Sequence, residues 1–170
     1  MTAIATETKF EFDLIFALPD GATEEAALLD ALYEAGCDDA AVGLGAPGLV
    51  GLGFTRVGQD AEAVIAGTVE QALGALPEGS ALREVKPDLV SLAEVALRLK
   101  VTRQALQKRQ MPPPSLGGLY RASEMPPYLN AVKGRLRDGF RDAGAWFAAA
   151  PGAQRMNARI SLAGLRRTVP

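Results

Sequence analysis

Between residues 9 and 86 the apolar residues change their spacing in a set order, and few folds accommodate that order. Residues 9–18 open with strict alternation, Phe10 and Phe12 against Glu11 and Asp13, and then run apolar as a buried strand does. Pro19, Asp20 and Gly21 supply turn chemistry. Thr23 is placed to cap a helix whose first turn carries Glu24 and Glu25, where the helix dipole favours negative charge. Ala27, Leu28, Ala31, Leu32 and Ala35 then recur at helical steps until Gly36. Residues 39–45 and 49–57 read as two short strands around Ala46, Pro47 and Gly48, with Val50, Leu52 and Phe54 on one face. Residues 60–76 carry Val64, Ile65, Val69, Ala72 and Leu73 as the stripe of a second helix. Pro77, Glu78 and Gly79 end it, and residues 81–86 form a last strand before Pro87.

The order β-α-β-β-α-β is the ferredoxin-like arrangement, four antiparallel strands with two helices on one face. The expected fold class is therefore α+β: a ferredoxin-like domain, then a helix-turn-helix domain with a short wing, then a C-terminal helical tail. The expected boundaries are a disordered N-terminus over 1–8, the acidic α/β domain over 9–87, the helix-turn-helix over 88–129 and a basic helical extension over 130–170. Many unrelated functions share the ferredoxin-like fold, so it assigns no activity. The glycine-rich stretch 43–53 lacks a Gly-Lys-Ser/Thr ending and does not lead from a strand into a helix, so it reads as a hairpin instead of a phosphate loop.

Charge divides the chain more sharply than its net of −2 suggests. Residues 1–90 hold four basic residues against sixteen acids, a net of −12, whereas residues 91–170 hold fourteen against four, a net of +10. Such asymmetry points to contact between the basic half and a polyanion. Docking of the two halves on each other is the alternative. Histidine is absent and Cys37 is the single cysteine, which removes the Ser-His and Cys-His nucleophile systems, a disulfide framework and a Cys-rich zinc site. No catalytic residues, metal or cofactor are expected, and Asp38 and Asp39 read as loop solubility charges. Residues 1–9 show no basic stretch followed by an apolar one, and no run approaches the ~18 apolar residues of a membrane-spanning helix. A cytoplasmic protein with no membrane partner is the expectation.

Within the basic half, Ser91, Leu92, Ala93 and Glu94 fit a capping box. Leu92, Val95, Ala96 and Leu99 form the inner face of a short helix, Lys100, Val101 and Thr102 make a turn, and Thr102 caps a second helix over 103–109 in which Leu106 points inward. Its outward residues, Arg103, Gln104, Gln107, Lys108 and Arg109, are long donors suited to base edges and phosphates.

Residues 89–109 (LVSLAEVALRLKVTRQALQKR) resemble the helix-turn-helix of the MerR and phage-excisionase superfamily, which includes AlpA-type regulators. That pattern is an apolar pair, a capped first helix, a Gly-[VI]-[ST] turn and a basic second helix, followed by a wing, an aromatic-Arg strand and an acidic-capped third helix. Residues 119–125 (LYRASEM) occupy the last of these places, so the resemblance covers residues about 89–129. It implies double-stranded DNA as partner, with Arg103, Gln104 and Gln107 facing the major groove, Thr102 at a phosphate, and Lys108, Arg109 and Arg121 gripping the backbone. Lys100 departs from the pattern, standing where the family carries a glycine whose positive φ eases the turn.

Residues 126–150 read as one helix with Leu129, Val132, Leu136, Phe140, Ala143 and Phe147 along an apolar stripe, either a homodimer seam or a core contact. Lys133, Arg137 and Arg141 form a basic stripe, placed to follow phosphates or to meet the acidic domain. Pro151 and Gly152 read as its end, with a basic, partly ordered stretch beyond. The expected function is a sequence-specific DNA-binding regulator acting as a homodimer. The alternatives are an interaction protein of antitoxin or phage-inhibitor type, binding a protein partner through its acidic domain, and an excisionase-like architectural factor.

Overall fold

The structure, a computed structural model, describes the backbone of residues 5–20 and 24–168, and side chains as far as residue 163. Strand β1 (Thr8–Ala17) buries Phe10, Phe12, Leu14 and Phe16 on one face, as its alternation requires. Helix α1 (Glu25–Glu34) buries Leu28 and Leu32; the cap expected from Thr23 lies outside the described residues. Strands β2 (Ala41–Gly43) and β3 (Leu49–Gly58) form a hairpin, and Val50, Leu52 and Phe54 join the same core. Helix α2 (Ala61–Ala75) is capped by Asp60, whose carboxylate accepts a hydrogen bond from the Ala63 N–H at 2.8 Å. Strand β4 (Ala81–Lys86) completes a sheet of order β2-β3-β1-β4 with every neighbouring pair antiparallel. Leu14 stands opposite Leu52 on one side and Val85 on the other, and all three are fully buried.

Asp39 does more than keep a loop soluble. Its two carboxylate oxygens accept from the Arg56 guanidinium at 2.9 and 3.0 Å, and Arg56 also donates to Thr68 and Gln71, tying the α1–β2 loop to β3 and α2. That guanidinium holds the Asp39 carboxyl below its ordinary range.

A second core begins at β5 (Leu89–Val90), which pairs antiparallel with β6 (Tyr120–Arg121). Around that small sheet lie α3 (Leu92–Leu99), α4 (Arg103–Gln107), α5 (Pro126–Leu129) and α6 (Gly134–Asp142). Val95, Leu99, Leu106, Met125 and Leu129 are fully buried there. The last helix, α7 (Gly144–Thr168), gives Trp146, Phe147 and Ala150 to this core and Ala149, Ala153 and Met156 to the first. The result is a mixed α/β structure with a four-stranded antiparallel sheet and, among the described residues, seven helices.

The chain after residue 126 departs from the single helix expected there. α5 ends at Leu129, residues 130–133 are non-helical, and Gly134, which opens α6, takes φ 67°, a left-handed conformation natural to glycine. Pro151 and Gly152, in turn, do not end a helix: α7 runs through them to Thr168. An interior proline costs a helix about 3 kcal/mol. Burial of large apolar side chains such as Trp146, Phe147 and Met156, at roughly 1.5–3 kcal/mol each, offsets that cost. Gly152 is needed for close approach, because a Cβ there would lie 2.7 Å from the Glu62 nitrogen and 2.8 Å from the Ala61 carbonyl carbon of α2. The stretch beyond is likewise helical, with Arg155 and Arg159 both meeting Glu62, at 3.7 and 2.6 Å.

The apolar stripe offered as a dimer seam is internal. Leu129, Val132, Leu136, Ala143 and Phe147 are all buried in the chain's own second core, and Phe140 packs against them. Trp146 is a packing anchor, set edge-on to Phe147 with ring centroids 5.0 Å apart.

Candidate nucleic-acid interface

The helix pair expected at residues 91–109 has the local chemistry read from its sequence. The Ser91 hydroxyl accepts from the Glu94 N–H at 3.1 Å while the Glu94 carboxylate accepts from the Ser91 N–H at 2.9 Å, completing the capping box. Lys100 ends α3 in the left-handed region at φ 56°, ψ 40°, so this chain makes with lysine the turn for which glycine is suited. The Val101 N–H then reaches back to the Ala96 carbonyl at 3.0 Å, and Val101 packs against the core. Thr102 caps α4 by accepting from the Ala105 N–H at 3.2 Å, and Leu106 is fully buried beneath. α4 ends at Gln107, two residues short of its expected end, and Lys108 and Arg109 lie on the turn that follows.

Thr102, Arg103, Gln104, Gln107, Lys108 and Arg109 are all exposed. The acidic half of the chain does not cover them. Its carboxylates meet other cations: Glu11 pairs with Arg98, Asp88 with Arg121, and Glu62 with Arg155 and Arg159. Arg98 is further held over the Trp146 ring, 5.1 Å from its centroid. Among the described residues, Lys100, Arg103, Lys108, Arg109, Lys133, Arg135 and Arg137 form no ion pair at all.

Two grooves flank α4. One, of about 540 Å³, separates α4 from the loop leading to β6 and is lined by Ser91, Arg103, Gln107, Arg109, Gly118 and Tyr120 among others. The other, of about 680 Å³, separates the α3–α4 turn from the start of α6, with Lys100, Thr102, Lys108, Arg109, Lys133 and Arg135 on its walls. No carboxylate lines either groove.

Of the remaining expected contacts, Lys133 alone lines one of these two grooves. Arg121, assigned to the DNA backbone from the resemblance, donates instead to the Asp88 carboxylate at 2.6 Å; the Asn157 amide donates to the other Asp88 oxygen at 2.9 Å. Of the basic stripe, Lys133 reaches the second groove, but Arg137 and Arg141 do not line it, and Arg141 lies 3.5 Å from Asp138 and 3.7 Å from Asp142. Lys100 and Arg135 line that groove and were not among the expected contacts. The signal for Arg135 was Gly134, which opens α6, so that Lys133 precedes the helix and does not share one helical stripe with Arg137.

Among the described residues no group of three or more His, Cys, Asp and Glu side chains is placed to hold a metal ion, and no helix is long and apolar enough to cross a membrane. Compared with known proteins, the chain has no significant match to a family model, a curated protein or a solved structure.

Proposed function

We propose that this protein binds duplex DNA sequence-specifically, with α4 as the reading element in a helix-turn-helix resembling that of the MerR and excisionase superfamily. The observation that carries the reading is the separation of cations into two sets. Arg98, Arg121, Arg155 and Arg159 pair with three of the chain's own acids, Arg155 and Arg159 sharing Glu62, whereas the cations on and around α4 are exposed and unpaired among the described residues. A contiguous unpaired basic face is the electrostatic footprint of phosphate binding. Arg103, Gln104 and Gln107 have the side chains that pair with guanine and adenine edges. The four-stranded unit, whose strand order suits a ferredoxin-like fold, carries this head and supplies contacts to a partner. The β5–β6 sheet serves as the base of a short wing.

Selection of bound sequences from random duplexes at two salt concentrations tests the proposal. A defined motif is expected, with affinity falling steeply as salt rises. Arg103→Ala combined with Gln107→Ala is expected to abolish the preference without unfolding the chain. Recovery of no motif at either salt would defeat the reading.

A second reading, recognition of a protein partner through the acidic half, is favoured by one observation on α1. Tyr33 is 70% exposed and Leu29 41%, beside the exposed acids Glu25, Asp30 and Glu34. Co-purification of a stoichiometric protein that is lost on Tyr33→Ala would support it.

A further inference from the structure

The groove between the α3–α4 turn and α6 is built from two separate parts of the chain, and only one belongs to the helix pair. Lys100, Lys108 and Arg109 line one wall, while Lys133 and Arg135 come from the far wall, more than twenty residues later. We infer that this groove is a dedicated phosphate track, in which the start of α6 grips the sugar-phosphate backbone while α4 reads bases. The inference rests on the DNA-binding reading above and adds a second binding element to it.

Three observations carry it. First, the five cations converge on one groove without a lining carboxylate and without an ion pair among the described residues. Cations clustered at this density repel one another, and a polyanion relieves the repulsion. Second, the far wall is held rigidly in place. α6 lies directly against the end of α3, where a Cβ on Gly139 would come within 2.1 Å of the Leu99 carbonyl oxygen. Leu136, one residue past Arg135, is buried in the second core. The spacing between the two walls is thus set by packing and not by a flexible arm. Third, no side chain caps the first turn of α6, so its N–H groups add partial positive charge at the same end of the groove. Duplex DNA is favoured over an acidic polypeptide because the groove adjoins the base-reading row, and Arg109 lines both grooves.

Lys133→Ala with Arg135→Ala, in the full chain, separates this role from base reading; Lys133→Gln with Arg135→Gln serves as a second variant, and thermal melting checks the fold. Fluorescence anisotropy on the selected duplex and on an unrelated one is the readout. Affinity is expected to fall about tenfold on both duplexes alike, and the slope of log K against log salt to shrink by about 2, near 0.9 for each lost phosphate contact. Arg137→Ala with Arg141→Ala is expected to leave both quantities unchanged. A wild-type slope and affinity in the Lys133/Arg135 variants, with preference still lost in the Arg103/Gln107 variant, would overturn the track while leaving the reading helix intact. Loss of sequence preference in the Lys133/Arg135 variants would also overturn it, since the groove would then contact bases. Binding of poly-glutamate but of no duplex by the wild-type chain would overturn both proposals.

Discussion

Gly139 of α6 meets the Leu99 carbonyl of α3 so closely that a Cβ at that position would lie 2.1 Å from the oxygen and 2.9 Å from the carbonyl carbon. No rotamer relieves such an overlap, because both partners are backbone. Gly139→Ala is expected to cost about 3 kcal/mol in urea unfolding, as overpacking of a tight contact does. Because α6 would be pushed off the end of α3, weaker binding to every duplex should accompany the loss of stability.

Lys100 poses the opposite problem, a side chain where none is wanted. Its φ of 56° is disfavoured for an L-residue by roughly 1 kcal/mol relative to glycine. Lys100→Gly is therefore expected to raise the unfolding midpoint while weakening DNA binding through the lost charge. The two effects separate by measuring melting and anisotropy on the same preparation.

Asp39 and Arg56 make folding pH-sensitive in a definable window. The Asp39 carboxyl titrates below its ordinary 3.8 when folded, chiefly because Arg56 donates to it. A group depressed in this way contributes stability that is complete above the unfolded value and is lost as pH falls through the folded one. Asp39→Asn should lower stability at neutral pH and flatten the acid limb of the stability profile below about pH 4. An acid limb identical to wild type would show that other carboxylates govern it.

Arg121 is expected to behave as a structural residue. Asp88 is only 8% exposed, and removal of its guanidinium partner leaves a carboxylate with only the Asn157 amide. Arg121→Ala should cost about 3 kcal/mol, in the range for breaking a buried pair. The salt slope of DNA binding should stay at its wild-type value, which a phosphate contact from Arg121 would not allow.

The first four strands and the α3–α4 pair were legible because their signals are local. Period-two alternation in β1 and the Ser91–Glu94 box each lie within a few residues of what they specify. The pairing of Arg121 with Asp88 was not legible for the converse reason: its partner lies 33 residues earlier, and nothing near residue 121 announces it. Pro151 illustrates tertiary override. The Pro-Gly pair is a sound stop signal for an isolated helix, but here both neighbouring stretches bury apolar side chains, and packing outweighs propensity. The apolar stripe through Leu129, Val132 and Leu136 ran on at helical spacing across the break at residues 130–133, so periodicity alone concealed it.

Helix α7 threads both cores and is stitched to the rim of the sheet, where the Asn157 amide engages the Val85 N–H and carbonyl at 2.8 Å each. A module that ends near residue 129 would leave the second core, with Leu106 and Met125 in it, without its Trp146 and Phe147 rings. The α3–α4 helix pair is accordingly not a cassette to be cut out and transplanted. Heat should dismantle the two halves in a single step, and strain felt at the sheet has one continuous helix along which to reach the second core.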